Sequence, residues 1–133
     1  MSECILCDIR DKKIPMHIIA ESETTVTFLE RSPDTTGHTV VAPKIHGETI
    51  LDFEDMVLAA VARDVKHAVE RLETALHPEG FTIGWNHGAA GGQGTPHLHI
   101  HILPRWHSDQ GGTIHSVVRQ PSRPVEEIAA LLL

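Results

Sequence analysis

Several short runs of the chain are rich in residues that favour strands, and in the last of them hydrophobic and polar residues alternate, the period-two pattern of a strand that buries one face. The runs are 17–21, 25–30, 38–43, 81–86 and 96–104. Three polar residues, Ser22-Glu23-Thr24, separate the first two runs, which therefore predict an antiparallel hairpin. Pro43 closes the third run and Pro104 closes the fifth, because proline interrupts the hydrogen-bond ladder of a sheet.

A second pattern, with hydrophobic residues three and four positions apart, predicts a long helix from Asp52 to about Leu76. Asp52 is expected to cap the start of this helix, and Asp55 completes an approximate capping box. A shorter helical turn is predicted at 4–10, and a final short helix with one apolar face begins at Pro124. That apolar face is expected to dock on another surface.

In the fifth run, histidine occupies the polar positions. Three imidazoles share one face of this strand and three apolar side chains share the other: His97, His99 and His101 against Leu98, Ile100 and Ile102. In a regular strand the outer two histidines are about 13 Å apart at their Cα atoms, which disfavours one metal ion held by all three. Neutral imidazole is a nucleophile and also carries protons near pH 7, so the row can supply a nucleophile with two flanking groups. The alternative is a half-buried strand whose polar face happens to be histidine.

The 133-residue chain contains 41% hydrophobic residues, which matches one compact domain over 1–133 with a modest core. Its formal net charge is -7 and its basic residues do not cluster, so we expect no nucleic-acid partner. The longest apolar runs hold about six residues, far fewer than a membrane span requires. Because the amino terminus also lacks the basic and apolar regions of a signal sequence, we expect a cytoplasmic protein without a membrane partner.

Cys4 and Cys7 are the two cysteines of the chain, and they lie three positions apart. A disulfide between them would close a very short loop, so it could not supply the stability that a long cross-linked loop gives. Their spacing leaves metal binding, redox chemistry and two plain thiols open.

A glycine-rich loop over 88–94 leads into the histidine run. Backbone N–H groups that are free of side chains can converge on an anion, as they do around phosphates, although many such loops are simple turns. Here Asn86 and Gln93 place neutral hydrogen-bond donors beside the loop. Donors, a loop and a nucleophile together indicate phosphoryl or nucleotidyl transfer.

These residues resemble the histidine triad (HIT) superfamily of nucleotide hydrolases and transferases, in the form common in bacteria. The resemblance covers about residues 4–107, whereas the tail over 108–133 is not diagnostic. Besides the triad, it rests on Cys4-Ile5-Leu6-Cys7, Gly37-His38, Pro43-Lys44-Ile45-His46, Asn86, Gly92-Gln93 and Pro104-Arg105-Trp106. The family implies an α+β fold: an antiparallel sheet of about five strands, one long core helix and a short amino-terminal helix.

The resemblance also implies roles for individual histidines. His99 would attack the α-phosphorus of a nucleotide derivative and form a nucleotidyl-histidine intermediate, which water then cleaves. His101 would hydrogen-bond the phosphate, His97 would support the strand or a metal, and His38 would lie beside the triad. A backbone carbonyl of the histidine strand would orient the His99 ring.

The implied substrate contacts lie on the glycine-rich loop and the triad. They comprise Asn86, Gln93, Gly94, Thr95, His99 and His101. Gln93 would contact the phosphate close to the bond being broken, which makes it a candidate for catalysis as well as binding. Many relatives place Ser or Thr directly after this glutamine, whereas here Gly94 follows it and Thr95 comes next. The hydroxyl that would protonate the leaving group is therefore displaced by one residue.

The resemblance further implies one structural zinc ion on Cys4, Cys7, His46 and His97, the ligand order of some histidine triad proteins and of galactose-1-phosphate uridylyltransferases. Zinc prefers a closed tetrahedral set of sulfur and nitrogen ligands, and a Cys-x-x-Cys pair supplies two thiolates from one tight turn. His46 follows a strand end and His97 begins the triad strand, so both lie at element boundaries. Two reduced thiols, with the histidines hydrogen-bonded locally, are the alternative.

Two functions from different classes follow. In the first, an enzyme hydrolyses, or transfers from, the α-phosphate of a purine nucleotide derivative such as a nucleoside phosphoramidate or a dinucleoside polyphosphate. In the second, a module binds nucleotide or zinc without turnover. His99 favours the enzyme, because a binding module needs no nucleophile there. Family members usually dimerise, and the apolar final helix and exposed sheet edges favour a homodimer.

Overall fold

Antiparallel strands form one open sheet in the computed structural model, which describes residues 3–133. The strands are β1 (Ile18–Glu21), β2 (Thr25–Leu29), β3 (Thr39–Pro43), β4 (Gly80–Gly84) and β5 (Ile100–Arg105). Their order across the sheet is β1-β2-β3-β5-β4, and all neighbouring pairs are antiparallel. The predicted hairpin of β1 and β2 and the α+β fold with a five-stranded antiparallel sheet are confirmed.

The described residues also form three α-helices, of which the first two pack on the sheet. They are α1 (Ile5–Arg10), α2 (Asp55–Leu76) and α3 (Val125–Leu132). Val40 belongs to the buried cluster that contains the apolar residues of α1, whereas Val41 belongs to the cluster that contains those of α2. Because neighbouring residues of a strand point to opposite faces, α1 and α2 lie on opposite sides of the sheet.

The alternation in the histidine run separates the same two faces. Leu98, Ile100 and Ile102 are at most 5% exposed and belong to the cluster under α2. His101 is paired in register with Val40, so its side chain lies on the face of α1. The chemical face of the run is therefore turned away from the long helix.

Helix α2 begins at Asp55, three residues later than the sequence predicts. The carboxylate of Asp52 instead accepts hydrogen bonds from the backbone N–H groups of Glu48, at 2.9 Å, and Thr49, at 3.0 Å. These bonds complete a capping box for a preceding 3-10 turn, Ile50–Asp52. The prediction that Asp52 caps α2 is therefore wrong, because its side chain serves the turn before the helix.

All five strands are shorter than the runs that predict them, and the difference matters most for β4 and β5. β5 begins at Ile100, so His97 and His99 lie in the segment that precedes it, and β4 ends at Gly84 rather than at residue 86. Leu98 lies in this preceding segment, and its backbone N–H donates to Gly47 O in a loop at 2.8 Å. The triad is held partly by the sheet and partly by a loop.

The apolar face of α3 remains largely uncovered by the described residues. Val125 is 73% exposed, Leu131 is 67% exposed and Leu132 is 79% exposed. The expected docking of this helix is therefore not made within residues 3–133. None of the described helices combines the length and apolar character that crossing a membrane requires.

Candidate active site

A single hydrogen bond to the preceding backbone fixes the ring of His99. Its Nδ1–H donates to the carbonyl oxygen of His97 at 2.7 Å. Because a neutral imidazole carries one N–H, this bond leaves the Nε2 lone pair available. The side chain is only half-buried, so a substrate can approach it. An oriented imidazole with a free lone pair is suited to act as a nucleophile.

Two further histidines are joined by hydrogen bonds that fix their tautomers. The backbone N–H of Asp34 donates to Nδ1 of His38 at 3.1 Å. The proton of His38 is therefore on Nε2, which donates to Nδ1 of His101 at 2.9 Å. The proton of His101 is then on its own Nε2. His101 presents this hydrogen-bond donor beside His99, whose ring centroid is 4.9 Å from that of His101.

Burial keeps these two histidines neutral. It lowers the pKa of His38, and the carboxylates of Asp34 and Glu30 oppose this shift only in part. Burial also lowers the pKa of His101, and repulsion from His99 and His38 acts in the same direction. Both rings are therefore neutral near pH 7, which is the state that the hydrogen bonds between them require.

His38 and His101 line a cleft of about 810 Å³ that runs along β4 and β5. Asn86 lines the same cleft, and its side chain is exposed. Asn86 and the histidine pair therefore line one cleft, and contact of Asn86 with a substrate stays a prediction. The described lining includes neither His99 nor the loop residues Gln93–Thr95.

Gln93 ties the glycine-rich loop to the neighbouring backbone. Its Oε1 accepts a hydrogen bond from Gly88 N–H at 2.8 Å. Its side-chain amide donates to Glu48 O at 2.7 Å and to Thr95 O at 3.0 Å. Both amide hydrogens are therefore directed at backbone carbonyls. These hydrogen bonds make Gln93 a structural anchor of the loop. Its contact with a phosphate stays a prediction.

Four potential metal ligands lie together between α1 and the triad: Cys4, Cys7, His46 and His97. Their ligand atoms all lie within 4.8 Å of one another. Nδ1 of His97 is 3.3 Å from Sγ of Cys4 and 3.2 Å from Nδ1 of His46, and Sγ of Cys7 is 3.5 Å from Nδ1 of His46. Ligand atoms around a tetrahedral zinc ion are separated by about 3.3–3.8 Å, given zinc–nitrogen and zinc–sulfur bond lengths. The cluster therefore has the spacing of a metal site.

The surroundings orient these groups towards one point. Nε2–H of His97 donates to the carbonyl of Pro43 at 2.8 Å, so the lone pair on its Nδ1 faces the two sulfurs. Cys4 caps α1, and its Sγ accepts the backbone N–H of Cys7 at 3.4 Å. Burial raises the pKa of the Cys7 thiol, and Cys4 raises it further, whereas a cation would favour the thiolate. The cluster could therefore hold a metal ion.

Residues 11–108 match the family description of the HIT domain. The chain belongs to the HIT family. The match spans more than half of the chain and contains His38, Gln93 and the triad, while the two cysteines precede it. The triad and its supporting hydrogen bonds thus lie within the HIT domain.

Similar proteins cover almost the whole of this HIT chain. Adenosine 5'-monophosphoramidase hnt1 of Schizosaccharomyces pombe is 32% identical over 130 residues, which cover 96% of this chain and 92% of the relative. Adenylylsulfatase HINT3 of Arabidopsis thaliana is 31% identical over 108 residues, which cover 81% of this chain and 55% of the relative. A crystal structure of a HIT family protein from Bacillus anthracis has a TM-score of 0.85 at 27% identity and covers 98% of this chain and 93% of that chain. The family resemblance and the HIT-like fold are confirmed, and relatives of the chain include named hydrolases.

Backbone groups that the sequence analysis missed orient the histidines of this HIT domain. The N–H of Asp34 fixes the tautomer of His38, and the carbonyl of Pro43 fixes that of His97. Backbone donors and acceptors leave no pattern of side chains. The turn-forming residues around Asp34 predict a turn there, but they do not indicate that the backbone N–H of Asp34 bonds to His38.

The buried His38 predicts a pH dependence of stability. Its pKa in the folded protein lies below the ordinary 6.5, so the unfolded chain binds a proton more readily as the pH falls below 6.5. The contribution of neutral His38 to the free energy of unfolding is therefore fully present above pH 6.5. It is lost as the pH falls towards the pKa of His38 in the folded protein. The free energy of unfolding, measured with urea between pH 7.5 and 5.5, should fall less steeply with pH in His38→Asn than in the wild type. The two slopes should differ by up to about 1.4 kcal/mol per pH unit. Equal slopes would contradict a neutral buried His38.

The amide of Gln93 predicts a kinetic effect. Gln93→Ala removes the groups that bond Gly88 N–H, Glu48 O and Thr95 O, so the loop beside the triad loses its anchor. We expect kcat for a nucleotide derivative to fall about 10- to 100-fold while KM changes less. Steady-state kinetics measures this, with Gln110→Ala, an exposed glutamine outside the loop, as the control. A change in KM alone would make Gln93 a ground-state binder.

Proposed function

We propose that this HIT domain hydrolyses a purine nucleotide derivative, such as a nucleoside phosphoramidate or a dinucleoside polyphosphate, at its α-phosphate. The observation that carries the proposal is the hydrogen bond from His99 Nδ1–H to His97 O, which orients the half-buried ring and leaves its Nε2 lone pair available. The activities for which the monophosphoramidase and adenylylsulfatase relatives are named support a nucleotidyl substrate. The net charge of -7 argues against a nucleic acid.

The chemistry takes place in two steps. Nε2 of His99 attacks the α-phosphorus, the bond from phosphorus to the leaving group breaks, and the leaving group departs with the electron pair and takes up a proton from solvent water. Water then attacks the nucleotidyl-histidine, which releases the nucleoside monophosphate, returns one proton to the solvent and restores neutral His99. The backbone carbonyl of His97 stabilises the positive charge that the His99 ring acquires in the first step.

Two neighbouring side chains act on the phosphate. Nε2–H of His101 donates to a phosphate oxygen, and its proton is kept on that nitrogen by His38. The exposed amide of Asn86 lies on the same cleft and supplies a second neutral donor. Neutral donors stabilise the charge that develops on the oxygens without holding the product as strongly as a cation would.

The experiment that tests the proposal is a hydrolysis assay. Purified protein is incubated with adenosine 5'-phosphoramidate and, separately, with a dinucleoside polyphosphate, and release of AMP is followed by chromatography. Calorimetry with AMP runs in parallel. Turnover of either compound supports the enzyme, whereas binding of AMP without any turnover would favour the alternative, a nucleotide-binding module.

We also propose that the four-residue cluster holds one structural zinc ion. Two thiols and two imidazole nitrogens form the donor set that zinc prefers, and their spacing fits a tetrahedral ion. With four protein ligands the ion would have no open position for water, so it would pin Cys4 and Cys7 of the amino-terminal segment to His46 and His97. His99 is not among these ligands and remains available for reaction.

The quaternary state and location are part of the same proposal. Strand β4 lies at the edge of the sheet. Ile83 within this strand is 43% exposed, and Trp85 directly after it is 44% exposed. An edge strand with exposed apolar neighbours favours pairing with a second copy, so we propose a homodimer. Cys4 and Cys7 are buried and are not joined by a disulfide, which suits a reducing compartment and supports a cytoplasmic location.

A further inference from the structure

A second cavity, of about 380 Å³, lies between helix α2 and the hairpin of β1 and β2. Its floor is buried, since Thr27 is 2%, Asp64 is 7% and Ala68 is 3% exposed. Thr27 is paired with Val41 of the cluster under α2, so the floor lies on the face of the sheet opposite the triad. Strands β1 and β4 form the two edges of the sheet, so the cavity is also remote from the proposed dimer contact.

Both carboxylates among the described lining residues have cationic partners. Nε–H and Nη2–H of Arg63 donate to the two oxygens of Asp64, at 3.0 and 3.3 Å. The carboxylate of Glu21 lies 2.9 Å from Nζ of Lys12 and 3.4 Å from Nζ of Lys44. The second arginine of the lining is therefore not needed to balance either carboxylate.

That second arginine, Arg71, is held by the backbone and keeps a pair of donors unused. Its Nη1–H donates to the carbonyl of Ile19 in β1. Its Nε–H and Nη2–H, which form the parallel pair on the side of the guanidinium, have no partner within residues 3–133. Such a pair matches the two oxygens of a carboxylate, as the bonds from Arg63 to Asp64 illustrate. Arg71 is therefore oriented in advance to bind an anionic group.

A threonine hydroxyl at the floor of the cavity is also unpaired. Thr27 is only 2% exposed, yet its hydroxyl has no hydrogen-bond partner in the part of the chain that the structure describes. Thr27 is paired with Ala20, the neighbour of Ile19, so it lies beside the strand segment that holds Arg71. Polar groups this deeply placed are normally hydrogen-bonded. Because Thr27 lines the cavity, its hydroxyl is available to a ligand placed there.

We propose that this cavity binds the carboxylate of a small aliphatic acid. The carboxylate lies between the unused donor pair of Arg71 and the hydroxyl of Thr27. The aliphatic chain packs on Ala20 and Ala68, which line the same cavity. The site is separate from the triad and does not depend on the proposed hydrolysis.

The charges of the cavity favour a carboxylate over a phosphate. Arg71 supplies one positive charge without a carboxylate partner, whereas Glu21 and Asp64 repel a second negative charge on the ligand. His67 lies 3.7 Å from Asp64, so its charge, when it is protonated, is directed at that carboxylate. A carboxylate carries one negative charge at pH 7, and a phosphate monoester carries about 1.5 to 2.

Hexanoate is the probe for this site, and hexanamide, which has the same chain without the charge, is its control. Binding to the full chain is followed by the shifts of backbone amide signals in two-dimensional NMR spectra. We expect a Kd of about 1 mM for hexanoate, with the largest shifts on β1, β2 and the middle of α2. Hexanamide and hexyl phosphate should each bind at least about fivefold more weakly.

Substitutions in the exposed Arg71 test the site without disturbing the core. Arg71→Gln should weaken hexanoate binding about tenfold, and Arg71→Lys about fivefold, because an ammonium group lacks the parallel donor pair. Thr27→Val, which keeps the shape of the side chain, should weaken binding about threefold. Arg119→Gln removes an exposed arginine outside the cavity lining and should leave the Kd within about twofold.

The Arg71 variants decide the proposal even if Thr27→Val does not fold. An unchanged Kd in Arg71→Gln, or equal binding of hexanamide and hexanoate, would overturn it. Shifts confined to the triad would do the same, because they would place the acid at the other site. Tighter binding of hexyl phosphate than of hexanoate would contradict the choice of a carboxylate.

Discussion

His99→Ala is expected to lower the single-turnover rate of nucleotide release by more than about 10⁴-fold. Alanine removes the atom that forms the bond to phosphorus, whereas loss of a group that only moves a proton costs about 10²- to 10⁴-fold. The ring is half-buried and lies outside both apolar clusters, so the fold should remain intact. Nucleotide affinity should change little, because His101 and Asn86 still line the cleft.

A matched histidine on the surface provides the control. The side chain of His67 on α2 is 60% exposed, so His67→Ala removes an imidazole of the same size far from the triad. It should retain full activity. If His99→Ala kept more than a tenth of the wild-type rate, His99 could not be the nucleophile.

The substitution Cys4→Ser/Cys7→Ser is expected to remove a bound metal ion and to lower the melting temperature by more than about 10 °C. Wild-type protein purified without chelator should contain about one equivalent of zinc, whereas the variant should contain less than about a tenth. The ion would link α1 to His97 and to the loop that carries His46. Without it, the two buried thiols, the buried His97 and the exposed His46 are joined to one another by weak contacts.

Chelation of the wild type separates loss of metal from loss of cysteine. Stripped wild-type protein should melt near the temperature of the double variant, and added zinc should restore only the wild type. Wild-type protein with less than about a tenth of an equivalent of metal, and an unchanged melting temperature in the variant, would rule the site out.

The sheet and its two faces could be predicted because burial dictates them residue by residue. Val40 and Val41 are adjacent, and each is buried against a different helix, so both faces of this strand carry apolar side chains. The histidine run is equally clear, since its apolar positions are all buried under α2. The resemblance to the HIT family then supplied the candidate roles of His99 and the four cluster residues.

What escaped prediction depends on contacts between distant parts of the chain. Asp64 reads as a polar residue of the exposed helix face, yet it is 7% exposed and accepts hydrogen bonds from Ser22 and Thr25, both at 2.7 Å. Those bonds join the turn of the first hairpin to α2. The prediction that Asp52 caps α2 was wrong for a related reason, because a carboxylate can accept hydrogen bonds from either of two successive turns.

The central claim is that His99 becomes covalently attached to a nucleotide, and one measurement tests it directly. The wild type is mixed with an adenosine 5'-phosphoramidate, quenched within the first turnover, digested and analysed by mass spectrometry. We expect an adenylyl group on the peptide that contains the triad, located on His99 by fragmentation and missing from His99→Ala. Rapid turnover with no adenylyl group on any histidine at any quench time, or with the group on His97 or His101, would contradict it.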